Sequence, residues 1–352
     1  MRVPMAIRNL ILCIAVFAAQ PVLAGSGEAP GLLLDVGGYR LHINCEGYGT
    51  PAVVFDAGLG GHSVEWRAVV NRVREFTRVC TYDRAGYGWS DSGRLPRTSS
   101  TIANELYLLL NALDFEGPFI LAGHSYGGYN MQLFARRYPY LAAGLVLVDS
   151  SHPAQVERFM APPFNLNTAP KARWGMVKFG KAPKPHPSLP DAARRLVRQQ
   201  MNRRRTRRAL AHEFLGFRES ARELRDAQDL IQIPVVVLSR GKRVWPADTR
   251  GTLLENLWME MQTELAAQSP HSAHIVARDS GHQLHLDQPA LVTYAIAVLT
   301  DIHRLQHGRD PGGEIQTVGV RERVDFRAAT WLRDTLVAAP DDSLPVTVVE
   351  PR

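Results

Sequence analysis

The chain has 352 residues, with 41 lysines plus arginines against 34 aspartates plus glutamates, a net charge of +7, and 45% hydrophobic residues. That length suits one enzyme core carrying a sizeable insertion rather than several domains. No nucleic-acid reader motif accompanies the positive charge and no paired histidine or cysteine spacing marks a metal site, so nucleic-acid binding and metal chemistry are set aside, and no cofactor is expected.

Residues 1–24 carry Arg2 and Arg8, then an apolar stretch at 10–19, and end Val22-Leu23-Ala24 before Gly25. This is the pattern of a signal peptide with small residues at its cleavage site, and it predicts a secreted or periplasmic protein. The apolar part is short and soon followed by Pro21, which makes a poor membrane span, although an uncleaved N-terminal membrane anchor is the other reading. Cleavage would lower the charge from +7 to +5 through loss of Arg2 and Arg8, and would remove Cys13, leaving Cys45 and Cys80.

Strand-like runs follow at 32–35, 39–46, 52–56, 78–83, 118–122, 145–149, 234–239 and 273–277. After the first hairpin they alternate with helical segments, an order that predicts an α/β fold with a mostly parallel sheet flanked by helices. Apolar residues at helical spacing predict helices over 63–76, 98–113 and 288–303, the last with Leu291, Tyr294, Ala295 and Val298 on one face. No internal repeat is apparent.

The run at 118–122 leads into Gly123-His124-Ser125-Tyr126-Gly127, and a helical pattern at 129–138 follows. A serine on a sharp strand-to-helix turn sits in a strained backbone conformation, and side chains two positions either side of it would collide; glycine at 123 and 127 removes them. The plainer reading is a glycine-rich turn with an incidental serine, but the strand before and the helix after favour an exposed nucleophile.

Between Asp149 and Pro234 the alternation breaks. Residues 153–190 are rich in proline and interrupted by aromatics, whereas 191–229 are helical and carry Arg203-Arg204-Arg205-Thr206-Arg207-Arg208. Residues 151–230 hold 17 lysines plus arginines against 7 acidic residues, which makes this insertion more basic than the whole chain. Such a field steers anionic substrates or holds a protein on an anionic envelope surface, while a solvated helix face is the plainer reading. Beyond residue 303, 308–313 read as a linker, 323–338 as one amphipathic helix and 345–349 as an edge strand. The expected organisation is a signal peptide at 1–24, a core at 25–150 and 231–305, the basic helical insertion at 151–230, and an extension at 306–352 with no assigned role.

Three further stretches join the elbow in a common pattern: 53–61, which contains Gly58-Leu59-Gly60-Gly61; Tyr82-Asp83-Arg84-Ala85-Gly86-Tyr87-Gly88-Trp89-Ser90-Asp91; and Gly281-His282 ahead of Leu286-Asp287-Gln288-Pro289. In this order they resemble the α/β-hydrolase superfamily, in particular its lidded serine esterase and proline iminopeptidase-like branch, over residues 32–303. The resemblance implies an eight-stranded sheet with a helical lid inserted after the sixth strand. It also implies Ser125 as nucleophile, where dehalogenase and epoxide hydrolase relatives use aspartate, and His282 as its base. Backbone N–H groups of Leu59 and Tyr126 would form the oxyanion hole, although Ala57-Gly58 stands where relatives often have His-Gly. Asp83 and Arg84 would brace a loop rather than react.

The triad acid is a departure from the pattern. Many relatives carry a Gly-x-x-Asp turn after the seventh strand, but here Gly241-Lys242-Arg243 is followed by Val244. Asp149, at the end of the sixth strand, occupies the other position from which members orient the histidine. Asp248, reachable over a longer turn, and Asp279 stay open as alternatives, and a turn or cap is the plain role for Asp149. In the fold resembled the second and fourth strands are neighbours, so Cys45 and Cys80 would meet either as a disulfide or as two buried thiols. The activity implied is hydrolysis of a small carboxylic ester or amide through an acyl-enzyme. A proline-releasing aminopeptidase is the alternative, marked by a carboxylate cluster in the lid to hold an ammonium. A ligand-binding protein of this fold without turnover is the reading from another class.

Overall fold

The computed structural model describes residues 29–161, 184–227, 231–307 and 346–348. The expected signal peptide, residues 162–183 of the insertion, and the 308–313 and 323–338 segments lie outside the described residues. Among the described residues the strands are β1 (Leu32–Asp35), β2 (Arg40–Glu46), β3 (Ala52–Asp56), β4 (Val79–Asp83), β5 (Phe119–His124), β6 (Ala142–Val148), β7 (Val235–Arg240), β8 (Ser272–Ala277) and β9 (Val346–Val348). They form one sheet in the order β1-β2-β4-β3-β5-β6-β7-β8-β9. The pairs from β4 to β8 are parallel, and antiparallel pairs stand at both edges. The ninth strand comes from the C-terminal extension and adds to the eight of the core.

Central strands of a parallel sheet are covered on both faces and therefore read as unbroken apolar runs. Every residue of β3, β5 and β7 is buried. Successive side chains point to opposite faces, so each strand feeds two cores. Val54, Leu121, Leu145, Leu147 and Val237 pack with Leu106 and Leu109 of α2 (Ser99–Asn111) and with Met131 and Phe134 of α3 (Tyr126–Arg137). Val53, Phe55, Ile120, Val146 and Leu238 pack on the other side with Val69 and Val73 of α1 (Arg67–Val73) and with Leu291, Ala295 and Leu299 of a long C-terminal helix, Pro289–Gln306.

The insertion contributes α4 (Gln155–Met160), α5 (Asp191–Met201) and α6 (Arg204–Asp226), so the helical stretch expected over 191–229 is broken at Asn202 and Arg203. α6 lies across the start of α2 and supplies acceptors for amides that have no intrahelical partner. Ser220 Oγ accepts from Ser99 N at 2.9 Å, and Glu223 accepts from Ser100 N at 2.8 Å and from the Thr98 hydroxyl at 2.7 Å. A carboxylate there also opposes the positive end of the helix dipole. α7 (Thr249–Ala266), the short α8 (Leu284–Asp287) and α9 (Pro289–Gln306) complete the described helices. None of these is long and apolar enough to cross a membrane.

Cys45 and Cys80 face each other across β2 and β4 and are joined as a disulfide over a sequence separation of 35. Closing a loop of that length restricts the unfolded chain and contributes about 3–4 kcal/mol. Thiol titration of the denatured, unreduced protein is expected to find Cys13 alone in the uncleaved chain and no thiol once residues 1–24 are removed, and reduction should lower the denaturant midpoint accordingly.

Candidate active site

β5 ends at His124 and α3 begins at Tyr126, which leaves Ser125 alone at the junction with φ 51° and ψ −117°. A non-glycine residue holds such a conformation only where its surroundings impose it. The Ser125 N–H donates to Val148 O at 3.1 Å, and its carbonyl accepts from Gly128 N at 2.9 Å and Ser151 N at 3.0 Å. A Cβ on Gly123 would stand 2.5 Å from the Gly127 carbonyl oxygen, and one on Gly127 would land on the carbonyl of Asp56. The helix thus crosses the strand ends at a distance only glycine allows. α3 starts three residues earlier than the sequence pattern indicates, and this puts the Tyr126 amide in its first, unbonded turn.

His282 follows β8 through a turn fixed by Asp287, whose Oδ2 accepts from Gly281 N at 2.8 Å. Its Nδ1 donates to Asp149 Oδ2 at 2.6 Å, and its carbonyl accepts from His124 Nε2 at 2.8 Å. The His124 and His282 rings lie 4.7 Å apart, so His124 supports the histidine loop from beneath. Burial first, then the neighbouring His282 charge, push His124 down to about 3, so it stays neutral and works as a fixed hydrogen-bond donor. Ser125 and His282 are brought to the same end of the sheet, and among the described residues no hydrogen bond joins the Ser125 hydroxyl to the imidazole.

Asp149 is fully buried, with φ 40°. Burial alone would raise its carboxyl, but the Arg240 charge, the His282 contact and the Trp258 indole N–H at 2.8 Å outweigh it and hold the group well below the usual carboxylate range. The carboxylate therefore stays ionised and accepts the imidazole N–H, which fixes the tautomer with Nε2 free to take a proton. Asp248 is not brought to this site. It is the N-cap of α7, its Oδ1 accepting from Gly251 N at 2.6 Å, because the chain after β7 is folded back by Glu255 accepting the Val244 and Trp245 amides. Asp279 is exposed on the turn before His282.

The loop after β3 is held from below by Arg84, which donates to the carbonyls of Ala57 at 2.5 Å and Gly58 at 2.9 Å. The same guanidinium pairs with Asp56 at 2.6 Å and with Glu213 of α6 at 2.8 and 3.0 Å. Asn130 donates to the other oxygen of Asp56, and the Tyr87 hydroxyl donates to Glu213 Oε2 beside Arg84. With its carbonyls committed to Arg84, the loop can present amides to the opposite side, and neither Leu59 N nor Tyr126 N has a protein acceptor among the described residues. Next to Leu59 and the elbow, Tyr126, Tyr129 and Phe217 form an apolar cluster shared by α3 and α6. Among the described residues no cluster of histidine, cysteine, aspartate and glutamate is arranged to hold a metal.

Sequence reasoning missed Arg240, Trp258, His124 and Asp287 as parts of this site. A signal existed for Arg240, a charged residue closing the otherwise uncharged run Val235-Val236-Val237-Leu238-Ser239.

A model described as "Alpha/beta hydrolase family" matches residues 53–294. An uncharacterized protein of Bacillus subtilis (strain 168), YqjL, is 28% identical over 247 residues, which cover 69% of this chain and 81% of that protein. A thermophilic esterase from Thermogutta terrifontis superposes with a TM-score of 0.55 at 24% identity, covering 75% of this chain and 94% of the esterase. An epoxide hydrolase superposes with a TM-score of 0.57 at 18% identity, covering 77% and 98%. These structural likenesses speak to the fold alone.

Proposed function

The chain belongs to the alpha/beta hydrolase family, and from that premise we propose that it is a serine hydrolase cleaving a small carboxylic ester through an acyl-enzyme. The observation that carries this reading is the contact between His282 Nδ1 and the buried, ionised Asp149 at the same sheet end where Ser125 stands on its strained turn.

In the proposed cycle His282 Nε2 takes the Ser125 hydroxyl proton as Oγ attacks the substrate carbonyl, and the developing oxyanion is met by the Leu59 and Tyr126 N–H groups. The imidazolium, balanced by Asp149, returns that proton to the departing alkoxide, leaving acyl-Ser125. Water then attacks the acyl carbon with His282 again as base, releasing the acid and the serine. The Ser125 to His282 hydrogen bond belongs to the substrate-bound state, as is common for catalytic contacts that are loose in the free enzyme.

Two features support an ester over a peptide N-terminus. The carboxylates α6 turns toward the core are already engaged, Glu213 by Arg84 and Tyr87, and Glu223 by Thr98 and Ser100, so they do not form a free ammonium site. The lid is also basic, with Arg204, Arg205, Arg207, Arg208 and Ser92 lining a surface hollow of about 700 Å³. An anionic envelope surface is the peripheral partner this charge fits. The Cys45–Cys80 disulfide supports an oxidising compartment, in keeping with secretion or a periplasmic location.

A fluorophosphonate probe is expected to label the wild-type protein at Ser125 and to leave Ser125→Ala unlabelled. Folded wild-type protein that resists the probe would turn the reading toward a non-catalytic binder. p-Nitrophenyl esters of increasing chain length, assayed beside amino-acid arylamides, separate the esterase from the aminopeptidase.

A further inference from the structure

Arg240 closes β7 and is only 3% exposed. Its guanidinium lies between two indoles, 4.9 Å from the Trp245 ring centre and 4.7 Å from that of Trp258. One terminal nitrogen reaches both oxygens of Asp149, at 3.3 and 3.1 Å, and the Arg240 backbone N–H adds a third contact at 3.2 Å. The other terminal nitrogen donates to Glu255 at 3.0 Å. His282, Asp149, Arg240 and Glu255 thus form a line in which the charge alternates whenever the imidazole is protonated.

In the serine-hydrolase reading, on which this inference rests, Asp149 has two tasks. It orients the ring of His282, and it balances the imidazolium that forms as Ser125 attacks. A guanidinium with one terminal nitrogen on both carboxylate oxygens and the other held by Glu255 helps the first, since it fixes the direction of those oxygens. It opposes the second, since part of the negative charge is already answered. The remaining titratable groups packed round the pair are His124 from β5, His285 from α8 and His274 from β8, with His186 and Asp287 beyond them. Burial keeps His124, His285 and His274 neutral, so Arg240 and Glu255 are the fixed charges nearest the pair.

We propose that Arg240 is a positioning residue that both locks Asp149 and trims the charge it shows to His282, so that the neutral, base-competent imidazole persists to lower pH than Asp149 alone would permit. Glu255 moderates the effect from the far side of the guanidinium. The two residues act as opposed settings on one line of charge.

The pH dependence of Ser125 labelling by a fluorophosphonate tests this without knowledge of the natural substrate. In Arg240→Gln the acid limb of the rate profile should move up by about one pH unit, because Asp149 and Glu255 then both favour the imidazolium. In Glu255→Gln, where Arg240 is left less balanced, it should move down. Arg240→Lys should keep the limb near that of the wild type while the maximal rate falls several-fold, since the charge remains but the planar group that joins Asp149 to Glu255 through two nitrogens is lost. Coincident limbs in wild type and Arg240→Gln, or a shift of the same sign in Glu255→Gln and Arg240→Gln, would reduce Arg240 to a packing residue. If Arg240→Gln does not fold, the downward shift of Glu255→Gln and the unmoved limb of Arg240→Lys decide the matter. A wild-type protein that is not labelled at all refutes the serine-hydrolase reading itself and this inference with it.

Discussion

Replacing Asp149 by asparagine is expected to lower kcat/KM by on the order of 10⁴-fold, and His282→Ala by at least as much, with thermal unfolding in both cases still cooperative. The asparagine is close in shape to Asp149 but cannot accept the imidazole N–H and balance its charge together. It turns an amide toward Nδ1, favours the wrong tautomer, and leaves Arg240 facing a neutral group. A loss of 10⁴ corresponds to about 5.5 kcal/mol of transition-state stabilisation, more than a packing change at one buried side chain commonly removes from a rate. Asp248→Asn is the matched control. Asparagine caps helices as well as aspartate, so α7 should persist and the rate should stay within about threefold of the wild type. Equal losses in Asp149→Asn and Asp248→Asn, or a larger loss in the latter, would remove Asp149 from the triad.

The contrast between these two carboxylates also marks how far the sequence could be read. The elbow was legible because its constraint is local: Gly123 and Gly127 lie beside Ser125 in the chain, and the contacts that demand glycine are made within five residues and one neighbouring strand. The strands themselves were legible for a similar reason, since buried parallel strands announce themselves as apolar runs. The contact of Asp149 with His282 was legible only as one of several possibilities, because the carboxylate is held in place by Arg240 and Trp258, which arrive 91 and 109 residues later. No spacing rule reports such a meeting. His124 was not legible as part of the site, because the bond it makes is to the carbonyl of His282 in the loop from β8, 158 residues away. The break between α5 and α6 went unread because Arg203-Arg204-Arg205 has good helix propensity throughout, and what sets the boundary is tertiary: Arg203 and Arg205 both donate to the Gly88 carbonyl, at 3.1 and 2.8 Å.

Removing the guanidinium of Arg84 should cost on the order of 3–5 kcal/mol of stability, the range for stripping one partner from a buried ion pair. Arg84 is fully enclosed and answers two buried carboxylates, Asp56 and Glu213, along with two carbonyls of the loop that precedes Leu59. In Arg84→Met the side-chain volume is largely kept, so the loss reports the unpaired charges and not a cavity. Burial already pushes the Asp56 carboxyl up, and without Arg84 it keeps the neutral donor Asn130 but no opposite charge to balance its own. The urea midpoint should fall with little change in slope. Catalysis should fall as well, because the carbonyls of Ala57 and Gly58 lose the donor that keeps them turned from the site, and a misaligned oxyanion donor costs about 10²–10³ in rate. Glu213→Gln separates the two effects: Arg84 keeps Asp56 and both carbonyls, so stability should drop by less while the labelling rate of Ser125 stays close to that of the wild type. An Arg84→Met protein that unfolds at the wild-type urea concentration, or one that labels at the wild-type rate, would show that the loop after β3 is held by its own glycine turns and not by the charge network linking it to α6.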